Sequence, residues 1–578
     1  MNWFSLAKCF ETVSTFLRTT SKYNNHNSLI VRIRLIILLV FVFGLVLNSQ
    51  GVTYTVTSSN DSGAGSLRDA ITQANSNPGA DVIAFSIPGS GPHVILLNSE
   101  LPHISEQLFI DGYSEPDYSY KPVISLNGTT AGAGVDGLTV DSDLCSIVGL
   151  SIVGFSNNGI QINDDNTFIE GCYIGLSMDG STAIPNGNDG VSINNSSGIQ
   201  IGGTDFLKRN FISGNSNSGI HIEGSGSFSI EIKTSAIGLN ESGMSAVPNV
   251  LGIEVEDNAN DILIGSLVPH EGNIISGNNS QGISITNTPA SNIHILNNFI
   301  GTNPAGDAAI ANGEGIHLQD AQNVTIELNL ISGNSASGIG IYDALSHSNL
   351  IIGNFIGVGA DGVSNLGNGS YGVLITNGSN SNVIGGSSVS DRNILSFNLG
   401  GVFIGASTFD NIVSGNFIGT DLTGLVDCGN TADGVYLSTT SSNTIGGVLA
   451  NEGNVISGND LSEIFMWNSD QNIISGNKFG LGSDGLTAIP GNLNSVEVRA
   501  SSSDNVFGYD TSMGTVDESL VRNYFHNSNR SGILFDETGT GNRVSRNSFS
   551  NNADLGIDLN NDGVTPNDVN DSDTGPND

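Results

Sequence analysis

Gly315 to Ser337 reads GIHLQDAQNVTIELNLISGNSAS. Three short stretches, Gly-Ile-His-Leu, Val-Thr-Ile-Glu-Leu and Leu-Ile-Ser, alternate apolar and polar residues, and turn formers separate them. None is long enough, or 3.6-periodic enough, for a helix. The opening phrase, Gly-Ile-x-Ile or a close variant, occurs fourteen times, beginning at Gly159, Gly190, Gly219, Gly252, Gly282, Gly315, Gly338, Gly372, Gly401, Gly434, Glu463, Ser495, Gly532 and Gly556. Most steps alternate between about 30 and about 33 residues, so every second copy returns after roughly 62, a spacing that marks a solenoid. The steps from Gly315 to Gly338 and from Gly532 to Gly556 are shorter, 23 and 24 residues. They read as the bare unit, and the longer copies as the same unit carrying a surface loop.

Three short strands per repeat predict an all-β protein, a single right-handed parallel β-helix of about 14 or more turns stacked at ~4.8 Å. The second and fourth residues of each phrase, such as Ile160 and Ile162 or Ile283 and Ile285, then point inward as an aliphatic column. Asn-x-Ile-Ser-Gly-Asn and its variants, at Asn210–Asn215, Asn329–Asn334 and Asn411–Asn416 among others, predict stacked side-chain amides at a turn. These asparagines read as structural.

Residues 1–51 differ from the rest. Arg32 and Arg34 precede an apolar run from Leu35 to Leu47, short for a membrane span and suited to a signal-peptide core. The segment reads as a signal peptide or an uncleaved N-terminal anchor, the only expected link to a membrane. Without its five bases and one acid, the remaining chain carries 55 acids and 12 bases, a net charge of −43. Such a surface repels nucleic acid and anionic membranes and suits a secreted or cell-surface protein. Cys145, Cys172 and Cys428 are too few and too odd in number for a disulfide framework. Cys172 stands where other copies place asparagine and reads as a buried turn residue. Residues 52–144 read as an N-terminal cap and first turns, 145–557 as the repeats, and 558–578 as an Asp/Asn-rich C-terminal segment. Ser66 and Asp69 form a capping box for a short amphipathic helix, expected to cover the first turn.

The stretch from Tyr54 to Asn75, with Leu101-Pro-His-Ile and Phe109-Ile-Asp-Gly112, resembles the opening of a family of large secreted bacterial surface proteins. That family carries right-handed parallel β-helix repeats of the pectin-lyase-like type. The alternation of Gly-Asn-x-Ile-Gly with Ile-Gly-Gly, as at Gly353–Gly357 and Ile384–Gly386, is also similar to it. The resemblance spans nearly all of residues 52–578. It implies the fold and a surface or adhesion role, and a chain of this kind that ordinarily continues into further C-terminal domains.

Candidate sites come from stacking the outward positions. His221 and Glu223 fall beside Glu254 and Glu256 of the next turn, where close carboxylates serve as acid and base or hold a cation. The competing reading is a solvated face. Leu374, Phe403, Tyr436 and Phe465 line one column, with Trp467 beside them and Glu497 and Arg499 following. Phe403, Tyr436, Phe465 and Trp467 are the expected glycan-binding residues, as a flat platform for sugar rings. Asp189, Glu314 and Asp433 each precede their glycine, as catalytic aspartates do in the polygalacturonase relatives. Asp189 and Glu314, however, are four turns or roughly 19 Å apart, too far for a glycosidase pair. Asp558, Asn560 and Asp562, with Asp568 following, have the oxygen spacing of an extracellular calcium turn. The first reading is a secreted, non-enzymatic β-helix that binds a polysaccharide or cell-surface glycan. A polysaccharide lyase or glycoside hydrolase and a passive stalk are the alternatives.

Overall fold

The computed structural model describes residues 51–564 except 269, 289–291, 511–512, 515 and 537–538. The expected signal or anchor segment lies outside the described residues, as does Asp568. Among the described residues no helix is long and apolar enough to cross a membrane.

The chain winds into three parallel sheets of 17, 16 and 15 strands. From Leu108–Asp111 onward each turn gives one strand to each sheet, and every strand pairs in parallel with its counterpart one turn away. The turn at Gly315 shows the plan. Glu314–Ala321 lies in the third sheet, Val324–Glu327 in the first and Leu330–Ile331 in the second, before Ile339–Tyr342 returns to the third. Parallel crossovers of this kind coil right-handed, so the molecule is a single right-handed parallel β-helix. It starts earlier than the phrase count suggests. The first sheet begins at Thr53–Val56, and the third has a strand at Leu138–Val140, one turn before Gly159.

The phrase positions fall as their pattern requires. Ile253 pairs with Ile283 and Ile283 with Ile316, and all three are fully buried in one core cluster that runs from Val56 to Phe535. Each fully buried isoleucine contributes roughly 1.5–3 kcal/mol. The helix Leu67–Ala74 has Ser66 as N-cap, its hydroxyl accepting from the Asp69 N–H, and buries Leu67, Ala70, Ile71 and Ala74. It packs beside the strands Thr53–Val56 and Asp81–Phe85.

Three asparagine ladders, one at each corner, replace the single ladder expected. Ten side chains from Asn186 to Asn459 join amide to carbonyl before the third sheet. Another ten run from Asn273 to Asn547 before the second sheet. Seven from Asn349 to Asn542 stand before the first. The same six-residue phrase therefore serves different corners. Asn411 belongs to the third ladder and Asn416 to the second, whereas Asn329 and Asn334 belong to the second and the first. Cys172 is buried and its N–H donates to Asn210 Oδ1, as the asparagines' backbones do in that column. The first ladder ends where Glu463 replaces the usual glycine. Its buried carboxyl accepts from the Asn459 amide and, at 3.0 Å, from the Gly458 N–H.

The two-turn period has a physical origin. On alternate turns a small loop closed by an antiparallel bridge, such as Leu239 with Ala246 or Thr302 with Ala309, leaves the corner before the third sheet. Successive loops touch, with the Ala360 N–H donating to the Gly306 carbonyl at 2.9 Å. The intervening turns carry their loops at the corner before the second sheet, between Gly265 and Asn273 or Gly385 and Asn393.

Candidate functional site

The outer face of the third sheet gathers nearly all the chemistry. One outward column runs Ser192, His221, Glu254, Ser284, His317, Gly340, Leu374, Phe403, Tyr436, Phe465 and Glu497. Two residues on, a second column holds Asn194, Glu223, Glu256, Gln319, Tyr342, Trp467 and Arg499.

At the N-terminal end of this face the register places His221 opposite Glu254 and Glu223 opposite Glu256. The side chains then choose differently from the strands. His221 Nε2 meets Glu256 Oε1 at 3.0 Å and Nδ1 meets Asp189 Oδ2 at 3.2 Å. The Ser218 hydroxyl donates to Glu254 Oε2 at 2.6 Å. Glu223 accepts from the Asn194 amide instead, so of the four expected residues it stays outside the group. Asp189, discounted from sequence because of its distance to Glu314, is the buried partner that completes it. Burial works against a charge on His221, but the Asp189, Glu254 and Glu256 carboxylates outweigh it and hold the imidazole protonated up to about 9. Burial pushes the Glu254 carboxyl above its ordinary range, against the opposing pull of Ser218 and His221.

Two turns on, Glu314 is buried and accepts from both His317 Nδ1 and the Tyr342 hydroxyl at 2.8 Å. The His317 and Tyr342 rings stack at 4.6 Å. Burial and the Glu314 carboxylate push the Tyr342 phenol up, so it stays a hydrogen-bond donor. This orienting carboxylate with its imidazole was not seen in the sequence. Its signal was an acid before the phrase glycine and a histidine three residues on; Asp189 likewise stands before its glycine, with His221 at the histidine's phrase position on the next turn.

Further along, five aromatic rings succeed one another. Tyr371 and Phe403 are 5.1 Å apart, Phe403 and Tyr436 5.3 Å, Tyr436 and Phe465 5.1 Å, and Phe465 and Trp467 6.4 Å. The first four are half-buried and Trp467 is exposed. Tyr371 extends the expected strip by one turn. Successive planes are inclined by 45°, 87°, 53° and 36°, so the strip is a corrugated ridge and not the flat platform expected. Glycines on the outward columns make room for it. A Cβ at Gly400 would stand 2.5 Å from the Tyr371 ring, and one at Gly405 equally close to that of Phe403.

Acids edge the ridge. Asp433 accepts from the Ser462 N–H at 3.0 Å, and burial, with Glu497 nearby, pushes its carboxyl up to about 6. Glu497 accepts from the Ser462 hydroxyl and from Arg499, whose other end pairs with Asp536 at 3.0 Å.

The expected calcium turn is only partly described. Asp558 folds back onto the Gly563 N–H at 3.3 Å, and Asn560 has the left-handed backbone of a tight turn. Among the described residues, His221, Glu254 and Glu256 are the one group of three His, Cys, Asp or Glu side chains with ligand atoms all within 4.8 Å of one another.

No protein-family model matches the chain, and no curated protein matches it by sequence. Among solved structures it is similar to the periplasmic alginate epimerase AlgG, at 13% identity and a TM-score of 0.29 over 81% of this chain and 77% of that one. It is similar also to pectate lyase Pel9A, at 15% identity and a TM-score of 0.28 over 64% and 80%. A third is PfbA, a surface adhesin of Streptococcus pneumoniae, at 13% identity and a TM-score of 0.23 over 89% and 94%. At these values the reading of the face rests on its own geometry.

Proposed function

We propose that the protein is secreted or surface-displayed and binds neutral glycans along the aromatic ridge. The observation that carries this reading is the run of five rings from Tyr371 to Trp467 outside the core, the first four spaced by one turn of the rod and Trp467 beside Phe465 on the same strand. Ring faces attract the C–H faces of sugars without a charge on the ligand. The acids at the edge, Asp433 and Glu497, accept hydrogen bonds from sugar hydroxyls. A net charge of −39 for the whole chain disfavours polyuronates, which need cationic partners. A glycan array tests the reading. Neutral oligosaccharides are expected to bind, and the Tyr436→Ala/Phe465→Ala double variant to lose that binding while keeping its fold. Preference for uronates, or binding that survives the double variant, contradicts it.

Glu314 and His317 favour a second reading, a polysaccharide-modifying enzyme. A carboxylate orienting an imidazole is the arrangement of a general base. Reducing-sugar and unsaturated-product assays on the array's ligands test it, with loss of turnover expected in His317→Ala.

A further inference from the structure

We propose that His221 Nε2 and the carboxylates of Glu254 and Glu256 form a binding site for a divalent transition-metal ion of the zinc or manganese class. The three ligand atoms lie within 4.8 Å of one another, and the His221–Glu256 pair at 3.0 Å already has the spacing of two ligands on one ion. The strand register supplies this convergence. Glu254 stands directly across from His221, and Glu256, two residues on, points out of the same face.

The groups behind the ligands argue most strongly for a site. The far nitrogen of His221 rests on Asp189, which is 1% exposed. Asp189 Oδ1 in turn accepts from the Ser218 N–H at 3.0 Å and the Asn217 amide at 2.8 Å. A buried carboxylate on the non-ligating nitrogen fixes the ring and directs Nε2 outward, as such partners do for metal-bound histidines. The Ser218 hydroxyl similarly holds Glu254 Oε2 at 2.6 Å. A merely solvated acidic face has no need to bury an aspartate behind a histidine, where its desolvation is offset by four donors, the Asn188 amide at 3.2 Å among them.

Donor type selects the ion. Calcium and magnesium prefer all-oxygen shells, whereas one imidazole with two carboxylates suits zinc or manganese. The His221 and Glu256 side chains are 15% and 28% exposed, so the outer side of the ion is open to water or to a ligand oxygen. The ion takes the place of the proton between His221 and Glu256.

The test uses the purified full chain, freed of metal with a chelator and titrated with zinc and manganese chlorides by calorimetry. Cobalt chloride, followed by its visible absorption, reports the ligand field. One ion per chain is expected, with cobalt bands. His221→Gln and Glu256→Gln should each abolish both signals. Asp189→Asn, a positioning change, should weaken zinc about 10–100-fold while retaining the cobalt bands. His103→Gln removes an exposed histidine paired with Glu100 and Asp141 elsewhere on the rod, and should change nothing. Unchanged melting without metal ties any loss to the ligand, and should His221→Gln misfold, Glu256→Gln carries the test. Absence of heat, binding that survives His221→Gln, or a calcium response equal to that of zinc and lost in His221→Gln would overturn the site.

Discussion

Replacing Asn354 with alanine removes one rung from the middle of a ladder, and the structure sizes the loss. The side chain is fully buried. Its Nδ2 donates to the Ile326 and Ile352 carbonyls at 2.8 and 2.9 Å and to Asn393 Oδ1 at 3.0 Å. Its Oδ1 accepts from the Asn329 N–H at 2.9 Å and from the Asn329 amide at 3.1 Å. Alanine takes away all five bonds, but the groups left behind fare differently. The Asn329 amide keeps the Ile295 and Glu327 carbonyls, and Asn393 Oδ1 keeps the N–H of residue 354. The Asn329 N–H loses its acceptor. A stranded buried donor costs about 1–3 kcal/mol and each ordinary bond about 0.5–1.5 kcal/mol net. A loss of about 4 kcal/mol is therefore expected, a large share of the stability of a typical domain. Because each turn touches only its neighbours, the effect should concentrate locally. Urea denaturation gives the total, and hydrogen exchange at the Asn329 amide gives its place. Asn492→Ala, an exposed asparagine bonded to Asp460, serves as control and should cost no more than about 0.5 kcal/mol. If Asn354→Ala costs no more than the control, the ladders are not structural and the reasoning fails.

Other outcomes follow from the same packing. Ile283→Asp places an unpaired charge at a fully buried position and should abolish protease resistance and alter the far-UV dichroism; an unchanged spectrum would contradict the inward assignment. Burial holds the Glu463 carboxyl well above its ordinary range, so the folded state grips that proton more tightly than the unfolded chain does. Its contribution is complete below about pH 4.5 and fades as pH rises toward the folded value. Glu463→Gln, which keeps the acceptor for the Gly458 N–H, should therefore flatten the stability profile above about pH 4.5, and parallel profiles for the two proteins would refute this. Calcium, proposed at Asp558, Asn560 and Asp562, should raise the melting temperature when added after chelation; no shift at millimolar calcium would remove it.

The sequence made the turns legible because an inward Ile pair and a corner asparagine recur wherever a strand must stack on its predecessor. The face was legible as far as strand register determines it. His221 beside Glu254 and Phe403 beside Tyr436 follow from the alignment of successive phrases alone. What register does not determine is where a side chain bends. Glu223 turns to Asn194, and Asp189 reaches His221 from the position before the glycine. Tyr371 was missed for the same reason, since it stands before its phrase and joins the ridge only because Gly400 leaves room for its ring. The three corners were merged into one because Asn-x-Ile-Ser-Gly-Asn describes a local bend, and two different corners make the same bend.

The most direct test of the central claim is calorimetric titration with neutral oligosaccharides of increasing length, on the full chain and on the Tyr436→Ala/Phe465→Ala variant. Tyr371 to Trp467 spans four turns, or roughly 14 Å between the first and last at the strand spacing. Affinity should therefore rise with each added sugar until the ridge is covered, then level off, and the variant should lose the rise. Affinity that is independent of length, or equal in both proteins, would contradict a glycan-binding ridge and leave the rod as a stalk.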